Sequence, residues 1–367
     1  MKSFPQWKAR ARAFQRKPAI ASPSTSPTRQ QTVIIPPTSV PIKRQTPVIS
    51  PARTQFPRKP IIQKKQFPLA LEYQEAFENL STHMLDPSIK NGRVALSKYG
   101  LPEPMSGRFA CVFKVSQRNN IYAVKCFVSS SAIDIQKRYG LISAFLRSHK
   151  FPFFVNFTYV SNGIPVRGQK YPILKMEWAR GENLVKFIDM NLTNKILLKN
   201  AARELVQCVA RMQFDKAAHG DLQHDNIKVA INPQSKFPSI FLVDYDGMYI
   251  PSFAGTRSPE LGLRNYQHPK RTENDYNENL DNFSTLVIYL SMLAVAADSG
   301  LWKHYHDDED FLIFKENDFA APEQSELIKD LLRNPSITIR NLTNLLVEAI
   351  DSDPLSEKTC PNRILAM

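Results

Sequence analysis

The stretch AAHGDLQHDNIKVAI, residues 217–231, joins a polar loop to an apolar run. The loop holds His219, Asp221, His224 and Asn226, and the run IKVAI that follows it has the β-branched composition of a strand. Polar residues are common in surface loops, so the composition of this loop alone decides nothing. It predicts a chemical site only if the rest of the chain supplies a second acid and a cation close to it.

Charge divides the chain into a basic arm and a neutral body. The formal net charge is +14, and residues 1–66 hold 14 Lys and Arg residues but no Asp or Glu. The other 34 basic residues equal the 34 acidic ones. Residues 1–68 also hold 12 of the 27 prolines. Such a composition cannot bury enough apolar surface to fold alone, so we expect residues 1–68 to be a disordered, basic, Pro-rich tail.

The basic tail has three interpretations. It is a solvated tether, or a segment that binds an anionic partner such as a nucleic acid or an acidic membrane surface, or an organelle transit peptide. The sequence does not decide among them, and each leaves the neutral body as a separate folded part.

Cysteines and apolar runs restrict the location of the protein. Cys111, Cys126, Cys208 and Cys360 are far apart and show no metal-binding spacing, so we expect reduced thiols in a cytoplasmic protein. The most apolar run, FSTLVIYLSMLAVAA at 283–297, has 15 residues, whereas about 20 are needed to cross a bilayer. It predicts a buried core helix and no transmembrane segment.

Hydrophobic patterning changes from strands to helices along the body. FACVFKVS at 109–116 and IYAVKCFVS at 121–129 alternate around QRNN and predict a hairpin, which SAIDIQKRYGLISAFLRS at 131–148 follows as a helix. Helical patterns dominate past residue 182, apart from the short strands IKVAI and SIFLVDYD. This order predicts an α+β fold of two lobes. The predicted parts are a helical lead-in at 69–103, a strand-rich lobe at 104–178, a helical lobe at 179–352 and a C-terminal tail at 353–367.

The two short strands bring polar residues together. Asn226 immediately precedes the first strand, and Asp244 lies near the C-terminal end of SIFLVDYD, so a hairpin of these strands aims both side chains at one point. Amide and carboxylate oxygens are ligands that Mg²⁺ accepts. Lys125, in YAVKC, alternates with the apolar residues of its strand and supplies the cation that a phosphate needs.

In their order, these motifs resemble those of the protein-kinase superfamily over roughly residues 104–352. HGDLQHDN resembles the catalytic loop H-R-D-L-x-x-x-N, VDYDG the D-F-G element and YAVK the V-A-I-K strand. KMEWARGENL resembles the hinge between the lobes, SPE resembles A-P-E, and DNFSTLVIYLSML resembles the start of the central helix. The pattern also resembles bacterial Ser/Thr kinase-like proteins with HGDLQHxN and LVDYDGM motifs, which also share EYQEA and NYQHP.

The resemblance implies roles for the polar residues. Asp221 is the expected catalytic base, and Asn226 and Asp244 are expected Mg²⁺ ligands. Asp246 replaces the glycine of D-F-G and is expected to be either a further metal ligand or a solvated turn residue. Gln223 stands where a protein kinase has a lysine on the transferred phosphoryl group, and it is the third expected catalytic residue, with Asp221 and Lys125. The residues expected around ATP are Gly107, Phe109, Ala123, Lys125, Glu177, Ala179 and Glu182.

Three further features depart from the kinase pattern. Gly107 stands where three glycines are usual. The helix after Lys125 should carry a glutamate that pairs with it, yet Asp134 is the only acid between residues 126 and 176. Gly220 replaces the arginine of H-R-D, which predicts no phosphate switch in the activation loop.

The histidines are expected to have no direct part in catalysis. His219 is predicted to be a packed structural residue, while His224 and the segment around His268 are predicted to lie on the surface.

The leading functional hypothesis is an Mg·ATP-dependent phosphotransferase that moves the γ-phosphoryl to a Ser or Thr hydroxyl of a protein substrate. The missing helix glutamate and sparse glycines motivate an alternative, a pseudokinase that binds nucleotide or scaffolds a signalling partner. A third hypothesis assigns the function to the tail, which would bind an anionic polymer or membrane surface.

Overall fold

A sheet, a helical layer and the loops between them position the site in the computed structural model, which describes residues 67–107, 109–129, 135–308 and 310–367. The predicted tail lies outside the described residues except for its last two positions, and Asp134 also lies outside them.

The N-terminal lobe contains a six-stranded antiparallel sheet in the order β1-β3-β4-β6-β5, with β2 paired to β3. Alternation in the hairpin buries Cys111, Phe113 and Val115 on one face, as the sequence predicts. The strands are β1 Arg93–Val94, β2 Met105–Ser106, β3 Ala110–Gln117, β4 Asn120–Phe127, β5 Phe157–Val166 and β6 Gln169–Glu177.

The helical lead-in packs on the outer face of this sheet. Its helices are α1 Ala70–Glu78 and α2 Leu80–His83, and its later part supplies β1 to the sheet, so the lead-in is not purely helical as predicted. The Phe77 ring stacks on Phe113 with 3.9 Å between centroids, and the Tyr73 hydroxyl donates to the Phe127 carbonyl at 2.9 Å. These contacts make the lead-in part of the N-terminal lobe.

One further helix of this lobe, α3 Ile135–His149, connects β4 to β5. Tyr139 and Ile142 on α3 are buried against the larger hydrophobic core, which continues into the C-terminal lobe. The position of α3 therefore depends on both lobes.

Helices form most of the C-terminal lobe, beside a small antiparallel sheet of β7 Glu182–Asn183, β8 Ile227–Ile231 and β9 Pro238–Leu242. This mixture of a strand-rich and a helical lobe confirms the predicted α+β, two-lobed fold class. The helices are α4 Leu184–Asn191, α5 Lys195–Phe214, α6 Asn282–Ala297, α7 Gly300–Tyr305, α8 Glu316–Ala320, α9 Glu326–Leu332, α10 Ile337–Asp351 and α11 Pro361–Leu365.

The apolar run at 283–297 forms α6, the central helix of the lobe. Its residues from Asn282 to Ala296 are all buried, so the prediction of a core helix is confirmed. Within the described part of the chain, no helix combines the length and the apolar character needed to cross a membrane.

Residues 353–367, predicted to be a tail, contain helical structure that packs on the lobe. A 3-10 turn at Glu357–Thr359 precedes α11, and Thr359 and Ile364 are buried. The Asn282 side chain also donates to the Ser356 carbonyl at 3.1 Å. The apolar residues of this short segment anchor it against the core helices.

The lead-in should contribute to stability through Phe77. Replacing Phe77 by Ala removes the ring stacked on Phe113 and should lower the free energy of unfolding by about 3–5 kcal/mol. Leu71→Ala is the control, because Leu71 is 63% exposed on the same helix; its effect should stay below about 0.5 kcal/mol. Urea unfolding followed by circular dichroism measures both, and equal effects would contradict this packing.

Candidate active site

The hairpin of β8 and β9 brings Asn226 and Asp244 together. Ile227 pairs with Leu242 in the hairpin, and the Val243 N–H donates to the Asn226 carbonyl at 3.0 Å. The predicted hairpin is present, although β9 ends at Leu242 and not at residue 246, and a shared cation site of the two side chains stays a prediction. Asp244 has a φ of 67°, a left-handed conformation that cannot continue a strand.

The loop before β8 is held by a buried acid at the start of α6. Asp281 accepts hydrogen bonds from the backbone N–H groups of His219 and Gly220. The His219 Nε2–H donates to the Val243 carbonyl at 2.9 Å, in the tautomer that this acceptor requires. His219 therefore has the structural role that the sequence predicts, and it connects the loop to the end of β9.

Position 220 requires glycine because the backbone there approaches the backbone of Gly247 closely. Its φ is 83°, and a Cβ added there would collide with the carbonyl group of Gly247. Gly247 is tight as well, since a Cβ on it would lie 3.2 Å from the Gly220 carbonyl carbon. An arginine at position 220 would not fit this packing, which explains the departure from H-R-D.

Asp221 lies in this loop with its carboxylate held from two sides. Asn226 Nδ2 donates to one carboxylate oxygen at 3.0 Å, and the Leu263 N–H donates to the other at 3.2 Å. Burial raises the pKa of Asp221 above its ordinary value, and the negative charge of Asp244 adds to the rise. A raised pKa favours proton acceptance by this carboxylate.

Lys125 comes from β4 of the other lobe and reaches the same site. It is 3% exposed, and its Nζ lies 2.7 Å from Asp244 Oδ1 and 2.7 Å from Asp246 Oδ2. Burial by itself lowers the pKa of Lys125, but the charges of Asp244 and Asp246 raise it well above the ordinary value. Lys125 is therefore a charged ammonium in the cleft between the lobes.

Glu260 adds a further carboxyl to this cluster. Burial, followed by the charges of Asp221, Asp246 and Asp244, raises the pKa of Glu260 to about 8. Its own backbone carbonyl accepts from the Ser258 hydroxyl at 2.6 Å. Glu260 is therefore mostly protonated at neutral pH, and the negative charge of the site lies on the aspartates.

The donor set of Asn226 and Asp244 fits a hard divalent cation. An amide oxygen and a carboxylate oxygen lie at one end of the hairpin, and Mg²⁺ commonly combines one or two carboxylates with water and phosphate oxygens. Among the described residues, no group of three or more His, Cys, Asp or Glu side chains could hold a metal ion. Bound Mg²⁺ would thus need nucleotide and water oxygens to complete its coordination.

The residues predicted around ATP belong to the N-terminal sheet, to the loop next to it and to the segment that leads into β7. Ala123 is buried opposite Met176 in the register of β4 and β6, and Glu177 ends β6. The Glu182 carboxylate pairs with Lys186 at 2.8 Å. Gly107 is exposed and Phe109 half-buried beside β3, and Ala179 follows β6. ATP contact by all these residues stays a prediction.

Gln223 has a local partner in the structure. Its side-chain oxygen accepts from the Asp225 N–H at 3.0 Å and caps the 3-10 turn at His224–Asn226. This bond fixes the loop between Asp221 and Asn226. Contact of Gln223 with a phosphoryl group stays a prediction.

The surface positions predicted for His224 and His268 are wrong. His224 is 4% exposed and its Nδ1 lies 2.8 Å from the Tyr266 hydroxyl oxygen. His268 is 3% exposed and its Nε2–H donates to the Ala349 carbonyl at 2.9 Å. The cause is tertiary, because NYQHP passes beneath the catalytic loop and packs on α10.

Arg271 was missed by the sequence interpretation, which placed it in a surface loop. It is 5% exposed and donates to the Gly220 carbonyl at 3.0 Å and to the Glu260 carbonyl at 3.3 Å. It thereby ties the catalytic loop to the segment that carries Glu260. The sequence offered no signal for this beyond its nearness to NYQHP.

Comparisons with known proteins find similarity among solved structures. No protein-family model and no curated protein matches the chain. Among solved structures, the chain is similar to the Cydia pomonella granulovirus kinase PK-1, with a TM-score of 0.49 and 15% sequence identity. That similarity covers 76% of this chain and 94% of the viral one.

The contact between Gly220 and Gly247 should make position 220 intolerant of any side chain. Gly220→Ala places a methyl group against the Gly247 backbone at a left-handed φ, and should destabilise the protein by more than about 1 kcal/mol. Gly140→Ala is the matched control, since no atom lies within 4 Å of an added Cβ in the middle of α3; it should stabilise by about 0.5–1 kcal/mol. Thermal unfolding distinguishes them, and a neutral Gly220→Ala would contradict the close approach.

Stability should depend on pH through Glu260. Its pKa rises from 4.5 in the unfolded chain to about 8 in the fold, so the folded state binds the extra proton between these values and loses stability as pH increases through them. Glu260→Gln should flatten this decline, which urea unfolding at several pH values between about 5 and 8.5 measures. Glu323→Gln, at an exposed position, should keep the wild-type slope. An unchanged slope in Glu260→Gln would refute the assignment.

Proposed function

We propose that this chain is an Mg·ATP-dependent protein kinase that transfers the γ-phosphoryl group to Ser or Thr hydroxyls. The observation that supports it best is the meeting of residues from the two lobes: Asp221, Asn226 and Asp244 from the C-terminal lobe, and a buried, charged Lys125 from β4. These are a proton acceptor, two oxygen ligands for a cation and a positive charge for phosphate. Phosphoryl transfer needs these groups in one cleft.

Asp221 is the proposed base. In the reaction, the substrate hydroxyl oxygen forms a bond to the γ-phosphorus while the bond from that phosphorus to the β–γ bridging oxygen breaks. The hydroxyl proton passes to the Asp221 carboxylate, and the bridging electrons remain on ADP. Hydrogen bonds from Asn226 and the Leu263 N–H orient this carboxylate, so its geometry is set before substrate binds.

Asn226 and Asp244 are the proposed ligands of Mg²⁺, which supplies compensation for the charge that develops on the phosphate oxygens. Lys125 has three N–H donors, of which two are directed at Asp244 and Asp246. In the proposal, a phosphate oxygen of ATP accepts from the third. Transfer then depends on positioning and charge compensation, without a covalent enzyme intermediate.

The segment from Ser258 to Leu263 supports the proposal that the substrate is a protein. It resembles A-P-E at SPE, and it lies against the base, since Leu263 donates to Asp221 and a Cβ on Gly262 would contact the same carboxylate. A protein substrate could therefore approach Asp221 along this segment. Specificity for Ser and Thr is proposed from the likeness to bacterial Ser/Thr kinase-like sequences.

Removal of the base should abolish transfer but preserve nucleotide binding. Asp221→Asn should lower kcat by about 10²–10⁴-fold, because the hydroxyl proton loses its acceptor. Transfer of ³²P from γ-labelled ATP to the chain itself and to a Ser/Thr peptide library measures this, with and without Mg²⁺. The increase in melting temperature on addition of Mg·ATP, measured in parallel, should be the same for Asp221→Asn as for the wild type.

Asp225→Asn is the matched control, since it neutralises an acid of the same loop whose carboxylate binds Asn183 and not the site. It should keep wild-type turnover. A wild-type protein that binds Mg·ATP but gives the same background signal as Asp221→Asn would overturn the kinase proposal in favour of a pseudokinase.

A further inference from the structure

The α3 helix presents no acid to Lys125. A kinase lysine is normally held by a glutamate of this helix, and α3 at Ile135–His149 contains neither Asp nor Glu. Lys125 is nonetheless held in the described structure by two carboxylates, those of Asp244 and Asp246. The contacts of these two carboxylates distinguish which of them positions Lys125, as the helix glutamate does in other kinases.

Asp246 has the contacts of a positioning residue. One carboxylate oxygen lies 2.7 Å from Lys125 Nζ, and the other accepts a hydrogen bond from the Tyr139 hydroxyl on α3. The Asp246 side chain is 23% exposed, against 44% for Asp244. Burial raises the pKa of Tyr139, and Asp246 raises it further, so the hydroxyl keeps its proton and remains a donor.

Arg138, the neighbour of Tyr139, holds the backbone of the same segment. Its guanidinium donates to the carbonyls of Asp246 at 2.7 Å and Met248 at 2.6 Å. It also lies over the Phe253 ring, 4.5 Å from the centroid. Arg138 and Tyr139, consecutive residues of α3, thus bind the main chain of residues 246–248 and the side chain of Asp246, respectively.

The sequence VDYDG makes this arrangement sterically feasible. Close packing on Gly220 imposes the glycine at position 247 and leaves position 246 able to carry a side chain. Asp246 has no left-handed φ, in contrast to Asp244 at 67°. An acid at 246 is therefore unstrained and lies between α3 and Lys125.

We infer that Asp246 replaces the missing helix glutamate: it positions the Lys125 ammonium for the phosphates, and α3 acts on Lys125 through the Tyr139–Asp246 hydrogen bond. The inference deepens the proposed kinase function and depends on it for its catalytic consequence. It gives Asp246 a role different from the metal ligand that the sequence suggests. Asp244 remains the carboxylate available to the cation.

A readout independent of catalysis tests the contact itself. Brief labelling with an amine-reactive acetylating reagent, quantified by mass spectrometry, measures protection of Lys125 relative to Lys270, whose side chain is 53% exposed. In Asp246→Asn, labelling of Lys125 should increase by about tenfold, because the ammonium loses a charged partner. In Tyr139→Phe, labelling should increase severalfold, because Asp246 loses the hydroxyl group that anchors it. Tyr305→Phe is the matched control, as it removes a tyrosine–aspartate bond to Asp330 far along the chain.

Kinetics separate positioning from metal binding. Asp246→Asn should raise KM for ATP and lower kcat, each by about tenfold, with the Mg²⁺ dependence unchanged. In the Asp246→Asn background, Tyr139→Phe should add less than about twofold, because the two residues act through one contact. Tyr139→Phe keeps both Asp246 oxygens and so tests positioning even where Asp246→Asn folds poorly.

The two proposals fail in distinguishable ways. If wild type transfers no phosphoryl group yet Lys125 protection falls in both variants, the kinase function fails and the positioning contact stands. Unchanged Lys125 labelling in both variants, or additive kinetic effects, overturns the inference. A large shift in the Mg²⁺ requirement of Asp246→Asn with unchanged labelling also overturns it and assigns Asp246 to the metal.

Discussion

The buried ammonium of Lys125 between two carboxylates is the contact on which the candidate site depends. A lysine that is 3% exposed must be compensated, since an unpaired buried charge costs several kcal/mol. Asp244 and Asp246 provide that compensation from the other lobe, at 2.7 Å each. Removing the Lys125 ammonium would leave two carboxylates without a cation, whereas removing one carboxylate would leave a one-to-one ion pair. The same contact therefore joins the lobes and prepares the site for phosphate.

The backbone beneath this contact is fixed by constraints that do not involve ionic attraction between side chains. Gly220 and Gly247 allow the catalytic loop and the DYDG segment to touch. Asp281 receives two backbone N–H groups of the loop, and Arg271 binds the Gly220 carbonyl from the opposite side. Because these groups are buried, the positions of Asp221 and Asn226 are set by the fold and not by a bound ligand.

Sequence patterns predicted the parts of this fold that depend on local periodicity. The hairpin around residues 117–120, the core helix α6 and the approach of Asn226 to Asp244 follow from alternation, apolar length and the order of strands. The early end of β9 was not predictable, because the left-handed φ of Asp244 leaves no periodic signature. The predictions for the N-terminal tail concern residues outside those described, apart from positions 67 and 68.

The burial of polar residues in the site was less predictable from the sequence than its strands and helices. His224, His268 and Arg271 appear in polar stretches and were expected at the surface, but segments distant in sequence cover them. The hydrogen bond from Tyr139 to Asp246 joins residues 107 positions apart, and neither local sequence motif predicts it. Such contacts are decided by how α3 docks, which is a tertiary property.

The charge balance of the cleft finally constrains how a nucleotide could enter. Burial, together with the charges of Asp221, Asp246 and Asp244, raises the pKa of Glu260 to about 8, so Glu260 is mostly protonated at neutral pH and the three aspartates carry the negative charge near Lys125. A free triphosphate would add further negative charge to this cluster, and Lys125 alone could not offset it. A divalent cation held by Asn226 and Asp244 would offset both the carboxylates and the phosphates. In the proposed kinase, nucleotide and Mg²⁺ should therefore bind together, since each supplies the opposite charge that the other requires.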